Sequence, residues 1–232
     1  MSILLLGVNF LREQRWGLIV LVAYLLVFGG AFLAGGASAE DFSVLLRSLG
    51  SYGIAFAGLM AASALHNERR TRRVLSVLSK GITRAEYLAG ALCGIMLALG
   101  IYSLGLGAMG TWGALRIHAP VLPAWELAGL FMLAFLIAAS VGQFFSTFLH
   151  PMLAVSAAAL LLSAEVLLGS RAEASMQALI PGYAIYLSLL QFSPAAVSVT
   201  LQTILMALAH AAAFWVASCI VFSVRDVSAA VE

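Results

Sequence analysis

The chain has 232 residues, of which 63% are hydrophobic and only 9% are charged. A soluble domain of this size needs far more charge on its surface, so the composition excludes a water-soluble globular protein and predicts an all-α membrane protein. The formal net charge of +2 is too small to indicate a nucleic-acid partner, and none is expected.

Residues 1–15 have an amphipathic pattern. Apolar side chains that share one helical face are Ile3, Leu4, Val8 and Leu11, and polar side chains that lie mostly on the other are Asn9, Glu13 and Gln14. The pattern predicts a short helix on the inner membrane surface. The alternative is a simple extension of the first membrane span.

Six segments are long and apolar enough to cross a membrane. A bilayer core about 30 Å thick requires roughly 20 apolar helical residues. The segments are residues 16–35, 44–66, 87–110, 125–149, 151–169 and 197–224. A secretory signal peptide is an alternative for the first segment, because Ala37-Ser38-Ala39 resembles a cleavage site. Its apolar run exceeds the upper length of about 15 residues typical of such signals, which favours a membrane span.

The basic residues predict the orientation of the spans. With the N-terminus inside, nine of the twelve Lys and Arg residues lie on the inner side: Arg12, Arg15, Arg69, Arg70, Arg72, Arg73, Lys80, Arg84 and Arg225. Only Arg47, Arg116 and Arg171 lie outside. Cytoplasmic loops carry an excess of basic residues, so this distribution predicts six spans with both termini in the cytoplasm.

Residues 67–86, between the second and third spans, form the only strongly charged stretch of the sequence. Its arginines surround a short apolar ridge made of Val74, Leu75, Val77 and Leu78. Thr83 is suited to start a new helix, and Glu86 completes the capping-box pattern. We therefore expect a short cytoplasmic helix, whose apolar ridge needs a partner, followed by the capped third span.

This stretch resembles the ABC-2 type permease family, the membrane subunits of ABC transporters. The residues that match the family motif are Glu68, Leu78, Ser79, Ile82, Thr83, Arg84, Tyr87, Leu88 and Gly90, and the end Phe222-Ser223-Val224-Arg225-Asp226 is also similar. The chain departs from the motif at Arg72-Arg73, where Gly-Thr is usual, and at Gly81, where Pro is usual.

The resemblance implies a single transmembrane permease domain in the inner membrane of a prokaryote. It also implies that residues 67–86 are a coupling helix that docks on a separate ATPase chain. The residues it assigns to ATPase coupling are Glu68, Arg72, Arg73, Val74, Val77, Leu78, Ser79, Ile82 and Arg84. ATP and Mg would be bound by that partner, with no cofactor on this chain, and a second permease chain would complete the transporter.

No catalytic or metal-binding pattern is present in the sequence. There is no phosphate-binding loop, no HExxH motif and no Gly-x-Ser-x-Gly, and the four histidines are scattered. The chain itself is therefore not expected to be an enzyme, and an intramembrane protease is disfavoured. A secondary transporter or a membrane scaffold without an ATPase is the alternative function.

Polar residues within the spans are candidates for a substrate path or gate. Glu165 and His210 are the two selected, although an interfacial or packing role is the alternative for each. Gln143 is expected to form a hydrogen bond between helices, and small residues at 53, 57 and 61 and at 90, 94 and 98 predict close helix packing.

Pro181-Gly182 breaks residues 170–194 into two pieces, and the apolar piece that follows is too short to span, which predicts a re-entrant or interfacial helix on the outer face. The apolar spans favour an amphiphilic or hydrophobic substrate.

Overall fold

The structure is a computed structural model that describes residues 3–35, 38–70, 82–177, 179–191 and 200–224. Within these ranges the secondary structure is helical, without strands. The helices in chain order are α1 (Ile3–Glu13), α2 (Arg15–Ala34), α3 (Ala39–Arg70), α4 (Arg84–Arg116), α5 (Leu122–Ser146), α6 (Pro151–Arg171), α7 (Ala174–Gln177), α8 (Pro181–Leu190) and α9 (Leu201–Val224).

Within the described ranges, five of the helices are each long and apolar enough to cross a membrane: α3, α4, α5, α6 and α9. α2 follows α1 at a bend of 67°, and this pair meets the same requirement only when taken together, which gives up to six candidate spans. The described part of the chain is therefore all-helical, and the chain is a multi-pass membrane protein. The start of the predicted segment 197–224 lies outside the described residues.

Helix α5 is the centre of the bundle, and most of its side chains are buried against α3, α4, α6 and α9. Small residues allow α3 and α5 to approach closely, because a Cβ at Gly142 would lie only 2.9 Å from the carbonyl oxygen of Gly58. Ala57 and Ala61 are fully buried. The small-residue spacing along the second predicted span therefore marks a helix interface, as expected.

Helix α1 packs across the first turns of α4 at two glycines. A Cβ at Gly94 would lie 2.5 Å from the Cβ of Phe10, and a Cβ at Gly90 would lie 2.6 Å from the Cβ of Leu6. Leu6 and Phe10 are both buried. The small residues of the third predicted span therefore form the seam that receives α1.

The other face of α1 is apolar and exposed. Ile3, Leu4 and Val8, which the sequence places on one face, are 42%, 63% and 45% exposed. A helix that is fixed to the protein on one side and presents apolar side chains on the other is suited to contact lipid.

Two helices begin at reciprocal side-chain caps. The N–H of Glu86 donates to Thr83 Oγ1 at 3.2 Å, and the N–H of Thr83 donates to Glu86 Oε2 at 2.8 Å, which confirms the predicted capping box of α4. Ser38 and Asp41 make the equivalent pair of bonds before α3, each at 3.2 Å. Ser38, in the run that resembles a cleavage site, thus has a structural role at the start of this helix.

Buried polar side chains inside the bundle donate hydrogen bonds to carbonyl groups of neighbouring helices. Gln143 Nε2 donates to the carbonyl oxygen of Leu88 at 2.8 Å, and the Tyr102 hydroxyl donates to that of Leu49 at 2.7 Å. Such bonds satisfy groups that lipid cannot solvate. Gln143 therefore has the interhelical role that the sequence predicts.

Candidate coupling and gating sites

The predicted coupling residues lie only partly within the described structure. Arg72, Arg73, Val74, Val77, Leu78 and Ser79 are outside it. Glu68 belongs to the last turn of α3, and its side chain is also outside the described part. Ile82 is half-buried against the core, and Arg84 is the first residue of α4. The structure thus places the side chains of these last two residues.

Arg84 joins the start of α4 to the end of α9. Its Nη1 donates to the carbonyl oxygens of Phe222 and Ser223, both at 2.7 Å. Its guanidinium also lies 5.8 Å from the centre of the Phe222 ring, which stacks on Tyr87. A cation at the last carbonyls of a helix satisfies groups that have no partner within the helix and complements the helix dipole.

Glu165 and His210, predicted separately as gate candidates, face each other across α6 and α9. Glu165 Oε1 lies 3.5 Å from His210 Nε2, and the two side chains are only 15% and 14% exposed. This separation is longer than that of a well-formed hydrogen bond. The pair is a close contact of two ionisable groups inside apolar helices, where such groups are costly unless they have partners.

The Glu165 carboxylate also lies against the first turn of α8. A Cβ at Gly182, the second residue of this helix, would overlap Glu165 Oε2. The residue before the helix, Ile180, provides no side-chain cap. Because the first N–H groups of a helix have no partner within it and carry partial positive charge, a carboxylate at this position is stabilising. The glycine leaves the space that the carboxylate occupies.

Arg47 of α3 binds the opposite end of α8. Its Nη1 donates to the carbonyl oxygen of Leu190, the last residue of this helix, at 3.2 Å. α8 therefore has an acidic side chain from α6 at its N-terminus and a basic side chain from α3 at its C-terminus. The Arg47 charge complements the helix dipole, and the two side chains position this short helix between two long ones.

Sequence reasoning missed two members of this arrangement. Arg47 entered it only as one of three outer basic residues, and Gly182 only as part of a break in the segment 170–194. The sequence contained an indication for each residue. A lone arginine in an apolar span is expected to have a partner. A Pro-Gly step can start a helix that approaches another side chain closely. The partners are distant in sequence and could not be chosen from it.

The side chains described at these sites can act through their charges and by fixing the positions of helix ends. Within the described ranges, no group of three or more His, Cys, Asp or Glu residues is placed to hold a metal ion. The predicted topology puts the contact of Arg84 with the end of α9 on the inner side and Arg47 and Glu165 towards the outer side, whereas His210 lies near the middle of α9.

Comparison with known proteins gives no family assignment, because no protein-family model matches the chain and no curated protein matches it significantly in sequence. The helices and the buried polar contacts define its class, a multi-pass α-helical membrane protein.

Proposed function

We propose that this chain is the permease subunit of an ATP-driven transporter whose ATPase is a separate chain. In this proposal the chain has six spans, with both termini cytoplasmic, and lies in the inner membrane of a prokaryote. It moves an amphiphilic or hydrophobic substrate, and two permease chains pair around the path. The resemblance of residues 67–90 to the ABC-2 type permease motif motivates the proposal.

The contact of Arg84 with the end of α9 is the structural observation that supports this proposal best. Arg84 lies within the charged segment 67–86 and is bonded to Phe222 and Ser223. Helix α1 packs on the next turns of α4, at Gly90 and Gly94. A force applied to residues 67–86 by an ATPase would therefore reach α1, α4 and α9 together through direct contacts.

The exposed surfaces of α6 and α9 support contact with a second chain or with lipid. Most residues of these helices are not buried within the chain. Leu160, Met152 and Leu201 are each at least 70% exposed. Exposed apolar area of this kind must be covered by lipid or by another protein.

The contact between Glu165 and His210 favours a second candidate, a secondary transporter. Ionisable pairs within spans are typical of proton pathways in such carriers. The two candidates differ in their energy source, so transport in sealed vesicles separates them. ATP-dependent transport without a proton gradient supports the ABC permease, whereas transport driven by the gradient alone supports the carrier. A membrane scaffold would transport under neither condition.

The decisive experiment is co-purification with a candidate ATPase, encoded beside this chain, followed by measurement of ATP hydrolysis in nanodiscs. Changing both Val77→Asp and Leu78→Asp should detach the ATPase or abolish substrate-stimulated hydrolysis, because charges would replace the apolar ridge. The matched control is Ser76→Asp, which adds a charge to the same segment at a polar position. Unchanged binding and stimulation in the double variant would refute the docking assignment.

A further inference from the structure

An open groove of about 620 Å³ runs along one face of α3. Its described lining combines Arg47, Ser48, Ser51 and Tyr52 with the apolar residues Val44 and Ala55, on successive turns of the helix. The hydroxyls of Ser48 and Ser51 donate to carbonyl groups of their own helix, so Arg47 is the charged group of the groove. A charged side chain on a membrane helix marks a position that contacts water, protein or a polar ligand rather than lipid tails.

A second, apolar cavity of about 180 Å³ lies beneath α8, between this helix and α3, α5 and α6. The aliphatic side chains that line it are Ile54, Ile137, Leu162, Val166, Ile185 and Leu189. A cavity of about 150 Å³ with such a lining is dry and can hold a benzene-sized molecule. The cavity beneath α8 therefore has room for the first few methylene groups of an alkyl chain.

The groove and the cavity are neighbours. Ser51 lines both of them. Leu189 lines the cavity, and the carbonyl oxygen of the next residue, Leu190, accepts the hydrogen bond from Arg47. The guanidinium thus lies at the C-terminal end of α8, beside a residue that lines the apolar cavity.

Arg47 is held in position and retains hydrogen-bonding capacity. Its Nε donates to the carbonyl oxygen of Ser43 and its Nη2 to the Ser43 hydroxyl, both at 3.3 Å, in addition to the bond to Leu190. A guanidinium has five N–H donors, so these three bonds leave two. Within the described residues, Arg47 forms no ion pair with a carboxylate. Its positive charge is therefore complementary to an anionic ligand group.

We infer that Arg47 and the cavity beneath α8 together bind an amphiphile with an anionic head group. The head group binds the two remaining N–H donors of Arg47 in the groove, and the start of the alkyl tail enters the apolar cavity past Ser51. This inference narrows the substrate class given in the proposed function. It rests on the proposed function only where it treats the bound amphiphile as the transported substrate. Binding itself requires no ATPase.

The test is photolabelling of the purified chain in neutral-lipid nanodiscs with decyl phosphate that carries a diazirine in its tail. Labelled peptides should include Leu162 of α6 or Ile185 of α8. Arg47→Gln should weaken the apparent affinity about tenfold, as expected for loss of a charge-assisted hydrogen bond, and Arg47→Lys should recover only part of it, because lysine keeps the charge but lacks the planar fork of donors. The uncharged decyl glucoside probe should label the wild-type chain as weakly as the phosphate probe labels Arg47→Gln.

Two further variants separate the head-group site from the cavity. Arg116→Gln removes another predicted outer charge, at the end of α4, that does not line the groove, and it should leave labelling unchanged. Ala134→Leu fills the cavity, which Ala134 lines, and should reduce labelling while Arg47 is intact. Circular dichroism and gel filtration of each variant verify that it is folded before labelling is compared.

Equal labelling by the charged and uncharged probes, or labelling insensitive to Arg47→Gln, would overturn the inference. If inorganic phosphate competes as strongly as decyl phosphate does, the site binds only an anion, and this result would also overturn the inference. Disulfide formation between chains at Ser48→Cys, with no labelling, would instead show that a second copy covers the groove. Because no ATPase is present, none of these outcomes depends on whether the chain couples to one.

Discussion

Arg84, the first residue of α4, donates from one nitrogen to the carbonyl oxygens of Phe222 and Ser223, both at 2.7 Å, across 138 and 139 residues of sequence. The same guanidinium lies over the Phe222 ring, which is fully buried. One side chain thus satisfies the end of the last helix and fixes it to the start of α4. Arg84 is also one of the residues that the sequence predicts to take part in ATPase coupling.

Replacing Arg84 with alanine should destabilise the protein by about 2 kcal/mol, because hydrogen bonds from a charged donor are lost and two carbonyl groups lose a partner. Arg84→Lys should recover part of this loss, since a lysine can reach one carbonyl but lacks the planar fork of donors. Unfolding of the detergent-solubilised protein by urea, followed by tryptophan fluorescence, measures the change. The control is Arg12→Ala, at an exposed position of α1. A loss no greater than that of the control would contradict the capping role.

Two glycine substitutions should have opposite effects, one at the crossing of α1 and α4 and the other on α5. Gly94→Ala should destabilise by about 1 to 3 kcal/mol, because the new methyl group would overlap the backbone of Gly7 and the side chain of Phe10. Gly129→Ala, on α5, is the matched control: apart from the neighbouring backbone of its own helix, no atom lies within 4 Å of its added Cβ, and the change should be neutral or stabilising by up to about 1 kcal/mol.

Labelling of a cysteine at Leu6, which is buried against Gly90, reports whether α1 detaches from α4. The rate should rise in the Gly94→Ala background and remain unchanged in the Gly129→Ala background. The native cysteines are replaced in this series because Cys93 lies beside Gly7. Equal labelling rates in the two backgrounds would show that α1 tolerates the methyl group, against the close packing described.

The overlap between Gly182 and Glu165 predicts coupling between these positions. Gly182→Ala should destabilise the contact of α6 with α8, because its Cβ would occupy the place of the carboxylate oxygen. Glu165→Ala removes that oxygen, so the double variant should be more stable than the sum of the single changes predicts, by about 1 kcal/mol or more. A double-mutant cycle from urea unfolding measures this term. Strict additivity would show that the two residues act independently.

The helices were predictable from the sequence, whereas the contacts between them were not. Long apolar segments and the Thr83 capping box depend on local patterns, and the structure has helices in each described part of the predicted segments. The sequence predicted a surface helix before the first span, but it did not predict the bend of 67° between α1 and α2. Its angle depends on how α1 fits the glycines of α4, which no local pattern specifies.

For the candidate site, too, the residues could be selected from the sequence, whereas their contacts could not. Glu165 and His210 were identifiable because ionisable residues inside apolar spans are rare and costly. Their pairing could not be derived, since residues on different helices meet according to helix rotation and packing, and many rotations satisfy one apolar sequence. Arg47 illustrates the limit most clearly, because its role depends on the end of a helix more than 140 residues away.

The predicted topology can be tested with single cysteines in a background that lacks Cys93 and Cys219. Cysteines at His118 and Glu173, both exposed, should react with a membrane-impermeant maleimide added outside intact cells. Cysteines at Thr83 and Arg12, also exposed, should react only after the membrane is permeabilised. The reason is the basic-residue bias, which places Arg12 and Arg84 inside and Arg116 and Arg171 outside. Reaction of Thr83→Cys from outside, or protection of both His118→Cys and Glu173→Cys until permeabilisation, would overturn the six-span arrangement with cytoplasmic termini.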